Sequence, residues 1–126
     1  MDNRRFKRYF LDVPIEVQGI DLKGNTFTDE TITLNISGSG AYFVTSYEYD
    51  PKQVVTVTIH LATPLGDNIK AGEYTMKAKI TRMAHEVRDA SGHLKKQEIA
   101  ICFDGILGYT KVSDPWSENM ERWNLR

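Results

Sequence analysis

The chain has 126 residues, a formal net charge of −1 and an apolar content of 40%. This length predicts one domain with a sizeable core, and the composition excludes a disordered chain. The near-zero charge excludes a surface that attracts nucleic acid or membranes over its whole extent. The single cysteine, Cys102, excludes an intramolecular disulfide and is typical of a cytoplasmic protein. The longest apolar run, Ile99 to Phe103, is too short to span a membrane, so no membrane insertion is expected.

The N-terminal segment is locally basic. Arg4, Arg5, Lys7 and Arg8 fall within residues 3–10, which contain no acid. Cations this close repel one another, and folding gains nothing from that arrangement unless an anion lies among them. Arg4 and Arg8 are four residues apart, a spacing that puts both on one side of a strand or a helix. A solvated tail without a ligand is the alternative that these residues alone leave open.

Alternation of apolar and polar residues predicts about six short strands in the following part of the chain. The apolar positions that carry the pattern are Val13, Ile15 and Val17; Ile32, Leu34 and Ile36; Ala41 and Phe43; Val55, Val57, Ile59 and Leu61; Tyr74, Met76, Ala78 and Ile80; and Ile99, Ile101 and Phe103. In the second strand the same alternation places Thr33, Asn35 and Ser37 together on the opposite face. Pro14 indicates an edge position or the start of the first strand.

Only residues 113–126 have a helical pattern, with Trp116, Met120 and Trp123 at i, i+4 and i+7. Closing a sheet removes its exposed edges, which antiparallel all-β proteins otherwise have to protect. The pattern therefore predicts an all-β fold, namely a small closed or nearly closed antiparallel β-barrel with a C-terminal α-helix as a lid.

The sequence gives no pattern for metal binding or catalysis. The residues that could ligate a metal, His60, His85, His93 and Cys102, lack ligand spacing. Ser39 lies between two glycines, but the nucleophile elbow of hydrolases requires Gly at positions 37 and 41. The run from Ser37 to Gly40 is also not a phosphate loop, because no Gly-Lys-Ser/Thr follows it. We therefore expect neither a metal nor an enzyme, and a plain β-turn is the alternative for this run.

Two short motifs, taken together, resemble those of the PilZ domain family. Members of this family have an RxxxR motif near the N-terminus and a D/NxSxxG motif beyond the first strands. Arg4 and Arg8 match the first motif, and Asn35, Ser37 and Gly40 match the second. The likeness continues through the strands to the terminal helix, so it covers nearly the whole chain.

The resemblance implies a six-stranded antiparallel barrel and, in members with both motifs, binding of the bacterial second messenger cyclic di-GMP. Arginine forks match phosphate oxygens and also the O6/N7 edge of guanine. Asn35 and Ser37 can pair with guanine donors and acceptors, and Gly40 lets the backbone approach the ligand. The ligand-binding residues implied in this way are Arg4, Arg5, Arg8, Asn35, Ser37, Gly40 and Ala100.

The sequence departs from the family at two of these positions. Asn35 stands where many members have Asp, so the hydrogen-bond acceptor is uncharged. Ala100 lies at a place in the last strand where relatives often have Gly, and its methyl group narrows the space beside the ligand. How far the two changes weaken binding is left open by the sequence.

We therefore expect residues 1–126 to form one PilZ-like domain, with a ligand-binding segment at 1–11, the barrel at 12–105 and the helix at 113–126. The expected function is that of a cytoplasmic, non-enzymatic receptor without a cofactor, which binds cyclic di-GMP and signals to an unidentified protein partner. In this hypothesis residues 1–10 are a tail with few packing contacts that closes over the barrel on binding.

Two other functions are alternatives to that of a receptor. One is a PilZ-like adaptor that works through protein contacts without a ligand, although it would have no use for both motifs. The other is a barrel that binds single-stranded nucleic acid, but the near-neutral strands lack the basic aromatic groove this requires. The sequence leaves open the partner, the pathway, the oligomeric state and the number of nucleotides bound.

Overall fold

The computed structural model describes residues 7–108, which form six β-strands joined by loops. In chain order the strands are β1 (Pro14–Ile20), β2 (Thr26–Ile36), β3 (Gly40–Thr45), β4 (Val54–Leu61), β5 (Gly72–Arg88) and β6 (Leu94–Phe103). All six cover stretches that the alternating pattern predicts to be strands. The hairpins β1–β2 and β5–β6 turn through Gly24 and Gly92, each with a φ of 88°, a value that favours glycine.

The strands close into an antiparallel barrel in the order β1-β2-β3-β6-β5-β4. β1 pairs with both β2 and β4, so the sheet has no open side at this strand. Pro14 is therefore not on an edge; it is the first residue of β1, where proline is also tolerated. This architecture confirms the predicted six-stranded antiparallel barrel. The predicted helix at 113–126 lies outside the described residues.

Inward-facing side chains from all parts of the barrel form one core. The side chains with at most 1% exposure include Ile15, Val17, Ile36, Phe43, Tyr49, Val55, Val57, Ile59 and Ile99. Burial of an aliphatic or aromatic side chain of this size contributes about 1.5–3 kcal/mol. The core therefore makes the barrel a rigid support for the residues on its outer face.

The side chains of β2 do not face the directions that their polarity predicts. Ile32 and Leu34 are exposed, at 49% and 40%, whereas Thr33 is only 1% exposed. The predicted faces of this part of β2 are therefore wrong. Thr33 satisfies its buried hydroxyl locally, because that group donates to the carbonyl of Leu11 at 2.7 Å and accepts from the N–H of Val13 at 3.0 Å. A polar residue with both roles filled is stable in the interior.

Asp29, on β2, is a second buried polar residue of the barrel, at 4% exposure. Its Oδ2 accepts hydrogen bonds from the hydroxyl of Thr45 at 2.5 Å and from that of Tyr49 at 2.7 Å. Desolvation raises the pKa of the Asp29 carboxyl, and the two hydrogen bonds oppose this rise. Burial also raises the pKa of the Tyr49 hydroxyl, to which the nearby Asp29 charge adds. In this cluster the hydroxyls of Thr45 and Tyr49 are therefore the donors, and the carboxyl group of Asp29 is their shared acceptor.

Candidate functional site

A groove of about 560 Å³ lies on the outer face of the barrel, across β2, β3, β6 and β5. Its volume is in the range of roughly 300–1,000 Å³ that is usual for sites of small molecules. Five of the residues that the sequence predicts for ligand binding line this groove. They are Arg8, Asn35, Ser37, Gly40 and Ala100. The other two, Arg4 and Arg5, lie outside the described residues.

Four residues in register form a row across the floor of the groove. Asn35 on β2 is paired with Tyr42 on β3, Tyr42 with Ala100 on β6, and Ala100 with Arg82 on β5. Neighbouring strands lie about 4.8 Å apart, so the row spans roughly 14 Å from Asn35 to Arg82. The groove therefore has an Asn35 end and an Arg82 end, with the small side chain of Ala100 between Tyr42 and Arg82.

A β-bulge lies next to each end of this row. On β2 the register shifts between Thr33 and Asn35, and on β5 it shifts between Ile80 and Arg82. A bulge adds a residue to one strand and thereby changes the side to which the following side chains point. After the first bulge Ile36 enters the core and Asn35 lines the groove. The two bulges thus direct Asn35 and Arg82 onto the same outer face.

The N-terminal segment reaches the groove through a short antiparallel bridge between Tyr9 and Ile36. Their backbones exchange two hydrogen bonds, from the N–H of Tyr9 at 2.7 Å and from the N–H of Ile36 at 2.9 Å. Tyr9 also packs against the hydrophobic core. This bridge holds Arg8 at the groove, where its antiparallel register places it opposite Ser37. The expectation of a tail with few packing contacts is therefore wrong at Tyr9.

The connection between β2 and β3 is a turn closed by the backbone N–H of Ser37, which donates to the carbonyl of Gly40 at 2.9 Å. The N–H of Ser39 donates to the hydroxyl oxygen of Ser37 at 3.2 Å. On the other side, the N–H of Phe103 donates to the carbonyl of Ser39 at 2.8 Å. The Ser37 hydroxyl thus has a role within the turn while it also borders the groove.

Gly40 is required by the close approach of two strands. Gly40 pairs with Cys102 on β6, and a methyl group at Gly40 would overlap the carbonyl oxygen of Ile101 on the same strand. A backbone carbonyl cannot move aside as a flexible side chain can, so only glycine fits here. The sequence predicted Gly40 for its approach to a ligand; the contact in this structure is with the neighbouring strand.

Tyr42 is held at the groove by a network of outer-face side chains. Its hydroxyl donates to Oε1 of Glu98 at 2.5 Å, and Nδ1 of His85 lies 2.6 Å from the same oxygen. The hydrogen bond from Tyr42 and then that from His85 lower the pKa of the Glu98 carboxyl, and the charge of Arg82 adds to the effect. In return the hydrogen bond to Glu98 raises the pKa of the Tyr42 hydroxyl. Glu98 therefore remains ionised and fixes the position of the Tyr42 ring.

Sequence reasoning did not predict several residues that line the groove, notably Tyr42, Thr81 and Arg82. A signal for Arg82 was present in the sequence. Continuing the alternation beyond Ile80 would place this arginine in the core, and a charge at a core position indicates a bulge or the end of a strand. Tyr42 gave no such signal, because an aromatic residue fits either face of a strand.

Other kinds of site have no support in the part of the chain that the structure describes. Within residues 7–108 there is no group of three or more His, Cys, Asp and Glu side chains that could hold a metal ion. In the same range no helix has the length and the hydropathy needed to cross a membrane.

The fold and the groove define a class of protein, a closed six-stranded antiparallel barrel with a groove on its outer face. The family model described as the PilZ domain matches residues 2–106. The chain therefore belongs to the PilZ domain family, a family of binding domains. None of the curated proteins matches this chain.

Three solved structures are similar to this chain. The Bacillus subtilis inhibitor of motility (MotI/DgrA) has a TM-score of 0.55 at 13% identity, over 100% of this chain and 51% of that chain. The PilZ domain with c-di-GMP of YcgR from Escherichia coli has a TM-score of 0.50 at 14% identity, over 97% of this chain and 88% of that chain. The K. pneumonia MrkH–c-di-GMP complex has a TM-score of 0.49 at 13% identity, over 99% of this chain and 52% of that chain.

The chain thus spans about half the length of the MotI and MrkH chains and most of the YcgR domain. At identities of 13% and 14%, the likeness to MotI and YcgR establishes the fold. It does not transfer a ligand or a partner to this chain.

Proposed function

We propose that this protein is a receptor for cyclic di-GMP, which it binds through the RxxxR and NxSxxG motifs. The observation that carries the proposal is that Arg8, from the first motif, and Asn35 and Ser37, from the second, line one groove. The two motifs are more than twenty residues apart in sequence. The Tyr9–Ile36 bridge brings them together, and YcgR, a protein of the same fold, was solved with c-di-GMP.

The residues of the groove suit the chemistry of this ligand. Cyclic di-GMP has two anionic phosphates and two guanine bases. Arg8 offers a guanidinium fork to phosphate oxygens or to the O6/N7 edge of guanine, and Arg4 and Arg5 are proposed to join it. The Asn35 amide can both donate and accept, so it can pair with a guanine edge, and the Ser37 hydroxyl can do the same. Gly40 adds no side chain beside the ligand, and Ala100 adds only a methyl group.

We propose further that binding signals to a protein partner in the cytoplasm through the N-terminal segment. The Tyr9–Ile36 bridge fixes one point of that segment to β2, directly beside the groove. A dianion among its arginines removes their mutual repulsion and orders the residues that precede the bridge. Hydrogen exchange on residues 3–12, with and without cyclic di-GMP, tests this step. Increased protection at residues 3–8 is expected, and equal protection in both states would contradict it.

Isothermal titration calorimetry with cyclic di-GMP tests the receptor function. Titrations with GTP, cyclic GMP and cyclic di-AMP should give a much weaker response, because these ligands lack either the second guanine nucleotide or the guanine edges. Equal affinity for all four would reduce the interaction to charge attraction. No binding of cyclic di-GMP by a folded protein would favour the ligand-independent adaptor instead.

A further inference from the structure

The two motifs account for only one end of the groove. Asn35 lies on β2, Ser37 directly follows it, and Arg8 is in the segment that is bridged to it. The other end, roughly 14 Å along the row of paired residues, is formed by β5 and contains Arg82. A ligand with two equivalent halves that extends along the row would meet Asn35 with one half and Arg82 with the other.

The backbone of β5 is built to present Arg82 on this face. The register shift between Ile80 and Arg82 leaves Thr81 as the extra residue, so two consecutive side chains, Thr81 and Arg82, line the groove. The hydroxyl of Thr81 donates to the carbonyl of Ala100 at 3.2 Å, which fastens the bulge to β6. Bulges occur preferentially beside binding sites, where they redirect a side chain.

Tyr42 lies between the two ends of the row, and it is tethered towards the Arg82 side. Glu98, which accepts a hydrogen bond from the Tyr42 hydroxyl, is two residues before Ala100 on β6. The two residues therefore lie on the same face of the strand. The contact of Glu98 with His85 joins this tether to β5, the strand of Arg82. The Tyr42 ring is thus a fixed aromatic surface at the groove, separated from Arg82 in the row by the small side chain of Ala100.

We propose that Arg82 and Tyr42 form a subsite for the second guanine of cyclic di-GMP. Arg82 binds the O6/N7 edge of this base, and the ring of Tyr42 contacts its face. The subsite rests on the proposed function, since it takes the distal half of the same ligand. It adds a residue that determines base specificity and that belongs to neither motif.

The chemistry of Arg82 predicts discrimination between bases. Guanine presents two acceptors, O6 and N7, to the two parallel donors of a guanidinium group, whereas adenine presents an N6–H₂ donor at the place of O6. A good bidentate pair discriminates against the wrong base by about five- to a hundredfold in affinity. A hybrid ligand, 3′,3′-cyclic GMP–AMP, therefore measures the base preference of the subsite, because it contains one guanine and one adenine.

Calorimetry with cyclic di-GMP and with the hybrid, on the wild type and Arg82→Met, gives the decisive comparison. We expect the wild type to prefer cyclic di-GMP by about tenfold or more, and Arg82→Met to lose most of this preference because adenine is then tolerated at the Arg82 end. Arg88→Met is the matched control, as Arg88 lies on the same strand, away from the groove, and is paired with Glu48 and Glu86. This control should keep both affinities and the preference.

Arg82→Lys separates base reading from simple charge attraction. Lysine keeps the positive charge and can still donate to O6 and N7, but it lacks the planar fork, so this variant should retain part of the affinity and a reduced preference for guanine over adenine. Wild-type affinity together with wild-type preference in Arg82→Lys would overturn a role for the planar fork of Arg82. Melting temperatures close to that of the wild type would show that each variant is folded.

The possible outcomes separate the two proposals. A folded wild type that binds neither ligand would contradict the receptor function itself. A wild type that binds cyclic di-GMP, together with an Arg82→Met variant of unchanged affinity and preference, would overturn the subsite alone. Loss of the preference in Arg82→Met but not in Arg88→Met supports it.

The aromatic part of the subsite needs its own pair of variants. Tyr42→Phe keeps the ring and loses only the tether to Glu98, whereas Tyr42→Leu removes the ring. If the ring contacts the base, Tyr42→Leu should weaken binding of cyclic di-GMP by about five- to a hundredfold, and Tyr42→Phe should weaken it less. Equal, near wild-type affinities of both variants would overturn the contribution of Tyr42.

Discussion

Tyr9 and Ile36 exchange two backbone hydrogen bonds, and this one pair connects the basic N-terminal segment to the strand of the second motif. The phenol of Tyr9 extends to the loop between β4 and β5, where its hydroxyl would overlap any side chain at Gly66. The φ of Gly66 is 61°, a backbone conformation that favours glycine by itself. Tyr9 is therefore held by its backbone at β2 and by its side chain at this loop. As a result, the backbone next to Arg8 is fixed beside the groove.

The first prediction concerns Arg8. Arg8→Ala should weaken binding of cyclic di-GMP by about ten- to a hundredfold, because a hydrogen bond to a charged group contributes roughly 1.5–3 kcal/mol. Its free energy of unfolding should change little, since Arg8 is exposed. The neighbouring Lys7 is the matched control: its Nζ lies 5.6 Å from the centre of the Tyr9 ring, and it does not line the groove. Equal effects of Arg8→Ala and Lys7→Ala in calorimetry would contradict a specific contact.

The sequence predicted all six strands, because apolar alternation depends on the same burial that forms the barrel. It could not predict which face of β2 is buried. There the polar Thr33 enters the core with its hydrogen bonds satisfied by Leu11 and Val13, partners distant in sequence. The Arg82 end of the groove differs in this respect, because a charge at a position that alternation assigns to the core does indicate a β-bulge.

The second prediction concerns Gly40, whose place in the motif has a structural cause. Gly40→Ala should lower the free energy of unfolding by about 1–3 kcal/mol, because the added methyl group meets the carbonyl of Ile101 on the neighbouring strand. Gly24 offers a comparison, since it has open space around it and only its positive φ favours glycine. Gly24→Asn should therefore cost less than Gly40→Ala, as asparagine tolerates this conformation. Denaturant unfolding of both variants checks the order, and the reverse order would contradict the steric explanation.

The third prediction concerns Ala100, which lies between Tyr42 and Arg82 in the row across the groove. Ala100→Gly should keep or improve the affinity for cyclic di-GMP, while Ala100→Val should weaken it because the larger side chain narrows the groove. Neither change should unfold the barrel. Ala84→Val is the matched control, being a substitution on β5 that does not line the groove. Unchanged affinity of Ala100→Val would place the ligand away from this residue.

The fourth prediction separates the two roles of Ser37. Its hydroxyl accepts the N–H of Ser39 within the turn and also borders the groove. Ser37→Ala should lose about 1 kcal/mol in binding, the usual contribution of a neutral hydrogen bond, and a comparable amount in stability. Ser39→Ala leaves the acceptor of the turn in place, so its stability should be closer to that of the wild type. If Ser37→Ala loses stability but no affinity, the hydroxyl serves the turn alone.

The last prediction concerns the pH dependence of stability that arises from Asp29. Desolvation raises the pKa of this buried carboxyl in the folded protein, whereas in the unfolded chain it has its ordinary value of about 3.9. A group with a raised folded pKa binds its proton more tightly in the folded state. Its contribution to stability is therefore fully present below about pH 3.9 and is lost as the pH rises through the folded pKa.

Asp29→Asn removes this titration but keeps an oxygen that can accept from Thr45 and Tyr49. The free energy of unfolding of the wild type, measured relative to Asp29→Asn, should therefore increase as the pH is lowered, at about 1.4 kcal/mol for each unit by which the folded pKa is raised. Taking this difference cancels the titration of all groups that the two proteins share. Asp29→Ala differs in kind, because it leaves two buried hydroxyls without their acceptor and should be less stable at every pH. A wild-type to Asp29→Asn difference that stays constant from about pH 4 to pH 8 would mean that burial does not perturb this carboxyl.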